Sequence, residues 1–444
     1  AIAMFIDPSA DPRIIDNCCK LQRPVAYFSG LLGQLLRLRY AALRNITLNF
    51  STARAVPGTI AWDSAVAFKP HRDLFAAGPQ TGALLTFTSG STGAPKGALR
   101  SHGVLLAQLK ALRETMQLTP GDVDLTTLPI VLLANLACGV TSIISDVDLR
   151  QPARVDGARV YADAVSQHVA SATASPAFFE RLVGYSKKTS RTLPEMRKLF
   201  CGGAPVFPRL LDALRKTMPR TDPCAVYGST EAEPIAHVAV SEFSPSDREA
   251  MRSGAGLLAG KPVAAVRLRI VRNQWGMQIT PLSEAELGQM SMAVRDPGEI
   301  VVSGDHVLPG YLGGRGDEET KFKVDGAVWH RTGDLGYLDE RGRVWLLGRC
   351  GARIDDARGT LYPFSVECAA SNVAGIERSA LVSAQGKRIL AVEIHGTNRE
   401  TAERDLRDML GWAHIDEIRF LKRIPVDRRH NAKVDYPALQ RMLS

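Results

Sequence analysis

Thr86-Phe87-Thr88-Ser89-Gly90-Ser91-Thr92-Gly93-Ala94-Pro95-Lys96-Gly97 follows an apolar run at Ala83, Leu84 and Leu85. Its residue types suit one kind of chemistry. Gly90, Gly93 and Gly97 let the backbone turn and expose its N–H groups, while Ser89, Ser91, Thr92 and Lys96 add donors and one positive charge. A loop so built can cradle a polyphosphate. It is not a Walker A loop, because Pro95 rather than glycine precedes Lys96 and neither Ser nor Thr follows it. A flexible surface linker would share this composition, but not the order of these twelve residues.

Five further segments carry reactive or small residues in a set order. They are Gly202-Gly203-Ala204-Pro205; Tyr227-Gly228-Ser229-Thr230-Glu231; Pro297-Gly298-Glu299-Ile300 with Gly310-Tyr311; Trp329-His330-Arg331-Thr332-Gly333-Asp334 with Gly348-Arg349; and Pro425 to Val434, which contains Lys433. Together with the loop they resemble the motifs of the adenylate-forming enzymes: acyl-CoA synthetases, peptide-synthetase adenylation domains and luciferases. The resemblance covers essentially the whole chain and implies ATP and Mg²⁺. It assigns the β- and γ-phosphates to the loop, with Thr88, Ser89, Gly90, Ser91, Thr92, Gly93 and Lys96 as contacts. It puts Gly202, Gly203, Ala204 and Pro205 beside adenine, stacks Tyr227 on that ring, and counts Gly228 and Ser229 among the nucleotide-binding residues. Thr230 would bond the α-phosphate and Glu231 would hold Mg²⁺, a hard cation whose other ligands are phosphate oxygens and water. Asp334 would accept from both ribose hydroxyls, with Arg349 on ribose or phosphate at the hinge. Lys433 takes the place of the catalytic lysine, between the attacking carboxylate and the α-phosphate. Pro297–Ile300 and Gly310-Tyr311 receive no catalytic role.

The elements that must position these residues alternate between strand and helix. Leu105, Leu109, Leu112 and Met116 have helical spacing, ended by Pro120-Gly121. Strands are expected at Val140–Ser145, Lys198–Cys201 and Cys224–Tyr227, and helices at Val160–Val169, Pro176–Tyr185 and from Pro208. That pattern is α/β with a mostly parallel sheet. From 260 to 348, short β-branched runs between glycine and Asp turns predict an antiparallel β subdomain. From 350 a compact α+β pattern follows. The expected organisation is a large adenylation domain at 1–349, of layered α/β sheets plus the β subdomain, and a small mobile C-terminal lid at 350–444. The chain opens within a strand before Asp7-Pro8. In this family a similar strand lies well inside the large domain, so an N-terminally incomplete copy is expected.

Composition sets wide bounds. The chain has 444 residues, 45% hydrophobic and 23% charged, with a net charge of +9. These values are ordinary for a globular protein, and the positive charge suits an anionic substrate such as ATP, and equally contact with nucleic acid or a membrane surface. No basic-aromatic cluster points to nucleic acid. Leu128–Ile144 is interrupted by Pro129, Asn135 and Gly139 and is short for a membrane span, so it reads as core or as the wall of a lipid tunnel. The acyl pocket is expected along Leu128–Gly139 and Ala232–His237. Seven cysteines without C-x-x-C spacing favour a reducing compartment, the cytoplasm.

Departures from the general pattern narrow the resemblance. Arg429-His430-Asn431-Ala432-Lys433 replaces the usual Gly-Lys, Gly351 replaces the usual Asp or Lys hinge, and Pro129–Gly139 lacks the common aromatic or histidine. With Gly359-Thr360-Leu361-Tyr362 and Ser145-Asp146-Val147-Asp148, these features look most like the β-lactone synthetase branch of bacterial head-to-head olefin biosynthesis. The resemblance implies that a long-chain β-hydroxy acid is activated as acyl-adenylate and cyclised, alongside other lipid-pathway enzymes. The alternatives are an acyl-CoA or acyl-AMP ligase, and a non-catalytic nucleotide- or lipid-binding remnant.

Overall fold

A computed structural model describes residues 1–6, 12–53, 56–67, 69, 73, 75–89, 95–427 and 433–444. The chain forms two compact units, Ala1–Leu106 with Leu308–Glu318, and Ala107–Val307 with Glu319–Ser444. The boundary expected at 349/350 lies inside the second.

In the first unit, Ala3–Met4 runs parallel to Gly82–Ser89, which pairs antiparallel with Pro95–Ser101. The expected free loop is thus largely a hairpin. Alternating Thr86, Phe87 and Thr88 extend the apolar strand further than glycine content suggests, pairing with Ala98, Gly97 and Lys96. Gly90, Ser91, Thr92 and Gly93 lie outside the described residues. A second parallel sheet, Ala26–Ser29, Leu48–Ser51 and Ile60–Ala61, packs beside short helices around Ile15, Cys19, Tyr40, Leu43 and Ile46.

The second unit is built on a twelve-stranded sheet. Val123–Thr126, Thr141–Ile143, Ser171–Ala174, Lys198–Gly202 and Cys224–Ser229 are parallel, as the alternation predicts. Their helices, Gly157–Ser166, Pro176–Thr189 and Pro208–Thr217, bury Val160, Phe178, Phe179, Leu182, Leu211 and Leu214 in one core. Each such side chain contributes about 1.5–3 kcal/mol by leaving water. Ala232–Ala239 then pairs antiparallel with Cys224–Ser229 and also meets Leu257–Pro262. Through it the strands of 260–348 join the parallel ones edge to edge. They are antiparallel as expected, yet part of the same sheet.

Beyond Arg349 come the helix Pro363–Ala370, the sheet of Ile376–Ala384, Lys387–Ile394 and Glu417–Phe420, and the helices Arg399–Met409 and Tyr436–Leu443. Leu128–Ile144 resolves into the helix Pro129–Ala137 and the strand Thr141–Ile143. No described helix is long and apolar enough to cross a membrane.

Candidate active site

Glycines and aromatics of the second unit converge at the ends of adjacent strands. Lys198–Gly202 and Cys224–Ser229 are parallel neighbours with Gly202 opposite Val226, so Gly203-Ala204-Pro205 leaves the sheet at the same end at which Gly228-Ser229 closes the neighbouring strand. Ligands of open α/β sheets bind there, beyond the carboxyl ends of strands. Gly203 has φ +83 and open space where a Cβ would stand, which leaves that edge accessible. Gly202 is small for another reason: a Cβ would sit 3.0 Å from the Val226 carbonyl oxygen of the next strand.

Asp334 and Arg349 face one another across the antiparallel pair Ala327–Leu338 and Val344–Arg349. Arg349 donates from Nη1 to Asp334 Oδ1 at 2.9 Å and to the Thr332 carbonyl at 3.0 Å. Tyr227 donates its hydroxyl to Asp334 Oδ2 at 2.8 Å. Each oxygen of the Asp334 carboxylate therefore holds a donor. Burial and the adjacent Asp334 carboxylate push the Tyr227 phenol well above its ordinary value, which keeps it a neutral donor. The same carboxylate raises the Arg349 guanidinium.

The peptide beneath Asp334 is tied by hydrogen bonds and close packing. Arg331 and Glu299 form a buried bidentate ion pair at 2.9 and 2.6 Å. Thr332 donates to the Ile300 carbonyl at 2.8 Å and receives the Asp334 N–H at 3.1 Å. Gly333 adopts φ +69, and a Cβ there would meet the Trp275 ring at 2.8 Å and Arg349 Nη2 at 3.0 Å. The Arg331 guanidinium lies 5.4 Å from the Trp275 ring centre. Glu299 supports this segment from the motif that received no catalytic role, and Trp275 carries no sequence signal beyond its residue type. His330 is buried and donates toward the Thr320 carbonyl; burial, then Lys321, pushes it down to about 3, so it is a neutral structural group.

Thr230 and Glu231 are half-buried at the turn after Cys224–Ser229, where Ser229 Oγ accepts the Glu231 N–H at 3.2 Å. The Glu231 charge acts on His330 through space, favouring its protonated form against the larger effect of burial. Lys433 is exposed, and its backbone is tied on both sides. The Asp427 N–H donates to its carbonyl at 2.8 Å, and its own N–H donates to Asp427 Oδ1 at 3.0 Å. Arg428 to Ala432 lie outside the described residues.

The phosphate-loop residues belong to the first unit. There Lys96 is buried, its ammonium 5.5 Å from the Tyr311 ring centre, and its stem crosses Gly316, where φ is +90. The Gly310-Tyr311 motif thus seats the loop lysine.

A family described as AMP-binding enzyme matches residues 2–312. An olefin beta-lactone synthetase of Stenotrophomonas maltophilia is 33% identical, over 98% of this chain and 80% of its own length. One of Xanthomonas campestris pv. campestris is 32% identical over the same shares. The crystal structure of ATP-bound MatB from Rhodopseudomonas palustris shares the fold, with a TM-score of 0.76 at 18% identity, covering 99% of this chain and 83% of that one.

Proposed function

We propose that this chain, which belongs to the AMP-binding enzyme family and is an AMP-forming acid ligase, activates a long-chain β-hydroxy acid and closes it to a β-lactone. The observation that carries the nucleotide part is the Asp334 carboxylate. It is held between Tyr227 and Arg349, at the edge where Gly203-Ala204-Pro205 emerges.

In the first step the acid carboxylate attacks the α-phosphorus of ATP and expels pyrophosphate. Asp334 accepts from the ribose hydroxyls, Tyr227 lies against adenine, and Thr230 bonds an α-phosphate oxygen. Lys433 offsets the charge that gathers on the α-phosphate as bonds form and break. Ser89 to Lys96 hold the β- and γ-phosphates. Glu231, a half-buried carboxylate, would hold a Mg²⁺, a hard cation suited to oxygen ligands, and that ion would supply further charge neutralisation. Among the described residues no cluster of three metal-binding side chains competes for it.

In the second step the substrate's own β-hydroxyl attacks the adenylated carbonyl, loses its proton and expels AMP. The four-membered ring is strained, but the nucleophile is tethered, and oriented groups reach effective molarities of about 10⁵–10⁸ M. Two features support this branch: identity to relatives named olefin beta-lactone synthetase, and Gly351, uncharged where thioester-forming members carry a charged hinge. Residues 350–444 act as the lid in this scheme. The acyl chain lies along Leu128–Gly139 and Ala232–His237, and seven free cysteines fit a cytoplasmic setting beside other lipid-pathway enzymes.

Mass spectrometry of products from ATP and a long-chain 3-hydroxy acid, with and without coenzyme A, tests the reading. A lactone formed equally well without coenzyme A is expected. A thioester that strictly requires it would replace this function with acyl-CoA ligation, and no acid-dependent pyrophosphate release would leave a binding protein.

A further inference from the structure

Glu367 is the least expected ionisable group of the second unit. It sits on the helix Pro363–Ala370, 2% exposed, and among the described residues no lysine or arginine pairs with it. Its carboxylate instead accepts the Tyr436 hydroxyl at both oxygens, 2.8 and 3.0 Å, and the Leu381 N–H at 3.0 Å. Burial pushes the carboxyl up to about 7, and burial with the facing Glu367 raises the Tyr436 phenol well above its ordinary value. Burying a carboxylate without a cation is costly, and filling the same space with leucine would cost less. What the carboxylate adds is a fixed, two-armed hold on one phenol.

That phenol stands at the start of the helix Tyr436–Leu443, three residues after Lys433. Asp435 caps this helix by accepting the Ala438 N–H at 3.0 Å and donates its own N–H to the Pro425 carbonyl at 2.9 Å. Leu439 and Leu443 anchor it in a core with Ala380, Val382, Ile389 and Ala391. At its other end the pair is tied to the hinge: the Glu367 helix packs on Val344–Arg349, with Pro363 against Gly348. The charged groups acting on Tyr436 besides Glu367 are Arg349 and Asp334, with opposite effects. The neighbouring Cys368 thiol is neutral, pushed up to about 12 by burial.

We propose that Glu367 is a positioning residue for adenylation: by gripping the Tyr436 hydroxyl it fixes the first turn of the Tyr436–Leu443 helix, and so the placement of Lys433 relative to Asp334 and Arg349. This rests on the assignment of Lys433 to the first step. It separates the two half-reactions, because attack of the β-hydroxyl on a formed acyl-adenylate needs no lysine at the α-phosphate.

The test compares wild type, Tyr436→Phe, Glu367→Leu and Glu367→Gln in ATP–pyrophosphate exchange with a long-chain 3-hydroxy acid, and in consumption of the synthetic acyl-adenylate. Tyr436→Phe and Glu367→Leu are expected to slow exchange at saturating substrates about tenfold or more, with the ATP KM nearly unchanged and acyl-adenylate consumption at the wild-type rate. Glu367→Gln keeps an acceptor oxygen for Tyr436 and recovers most of the exchange rate. Amide hydrogen exchange at Lys433, Val434 and Asp435 should rise in Tyr436→Phe while the remaining core stays protected. Equal slowing of both half-reactions, or unchanged exchange and unchanged protection, overturns the proposal. Absence of acid-dependent exchange in the wild-type chain would instead fell the parent reading. That differs from a wild type that turns over beside a Tyr436→Phe that keeps pace with it.

Discussion

Replacing Glu367 by glutamine removes the charge and keeps the shape, so it isolates the cost of the buried carboxylate. Glu367 titrates at about 7 in the folded chain against 4.5 for the free group. The folded state therefore holds this proton more tightly than the unfolded state does. Stability is favoured below 4.5, falls as pH rises toward 7, and carries the full penalty above it. A shift of this size corresponds to about 3 kcal/mol, at 1.36 kcal/mol for each pH unit. The neutral amide of Glu367→Gln carries no such penalty. Urea unfolding of both proteins from pH 4.5 to 8 measures the difference in stability, in which the other titrating groups cancel. Glu367→Gln should gain on the wild type from pH 4.5 upward and level off above pH 7, at about 3 kcal/mol. A difference that stays flat with pH would mean that Glu367 is not buried and charged at neutral pH, and the reasoning would fail.

Other perturbations bear on the site itself. Lys433→Ala should slow acid-dependent pyrophosphate exchange about 10²–10³-fold while ATP still protects the chain against heat, since the lysine acts on charge formed in the transition state; equal exchange rates would show it misassigned. Asp334→Asn withdraws the anionic acceptor expected to meet both ribose hydroxyls and leaves Arg349 without its partner, so the ATP KM should rise about tenfold or more, with little change in melting temperature. An unchanged ATP KM would move the ribose elsewhere. Arg331→Met strands the buried Glu299 charge and should cost about 3–5 kcal/mol in urea unfolding, most of it restored by Glu299→Gln in the same chain. Without that restoration the loss would come from packing rather than charge.

Local signals were the most readable. The strand runs before Gly202 and Tyr227, the helix opened by Pro208 and the α+β order after 350 all stand close to where periodicity puts them. Those patterns depend on neighbours a few residues apart. Pairings between distant residues were hidden. Nothing in Ala232–Ala239 announces that it bridges parallel and antiparallel strands, because its register is set by Cys224–Ser229 on one side and Leu257–Pro262 on the other. Glu299 and Arg331 lie 32 residues apart and Glu367 and Tyr436 lie 69 apart, so each reads alone as a surface charge or an aromatic core residue. The phosphate loop is legible in the order of its residues, yet its flanks are a hairpin, since Thr and Phe in extended register outweigh the flexibility of the glycines.

The unbroken sheet also limits how this enzyme can move. From Lys198–Gly202 to Ala327–Leu338, every step across the second unit is a backbone ladder, through Cys224–Ser229, Ala232–Ala239, Leu257–Pro262 and Val344–Arg349. The residues proposed for the base and for the sugar are therefore fixed on one rigid plate, like two marks on a ruler. Pulling them apart would rupture main-chain hydrogen bonds. Opening and closing must be left to parts joined to that plate by side chains and single strands of peptide. A bound nucleoside would keep its seat while the groups that act on its phosphates come and go.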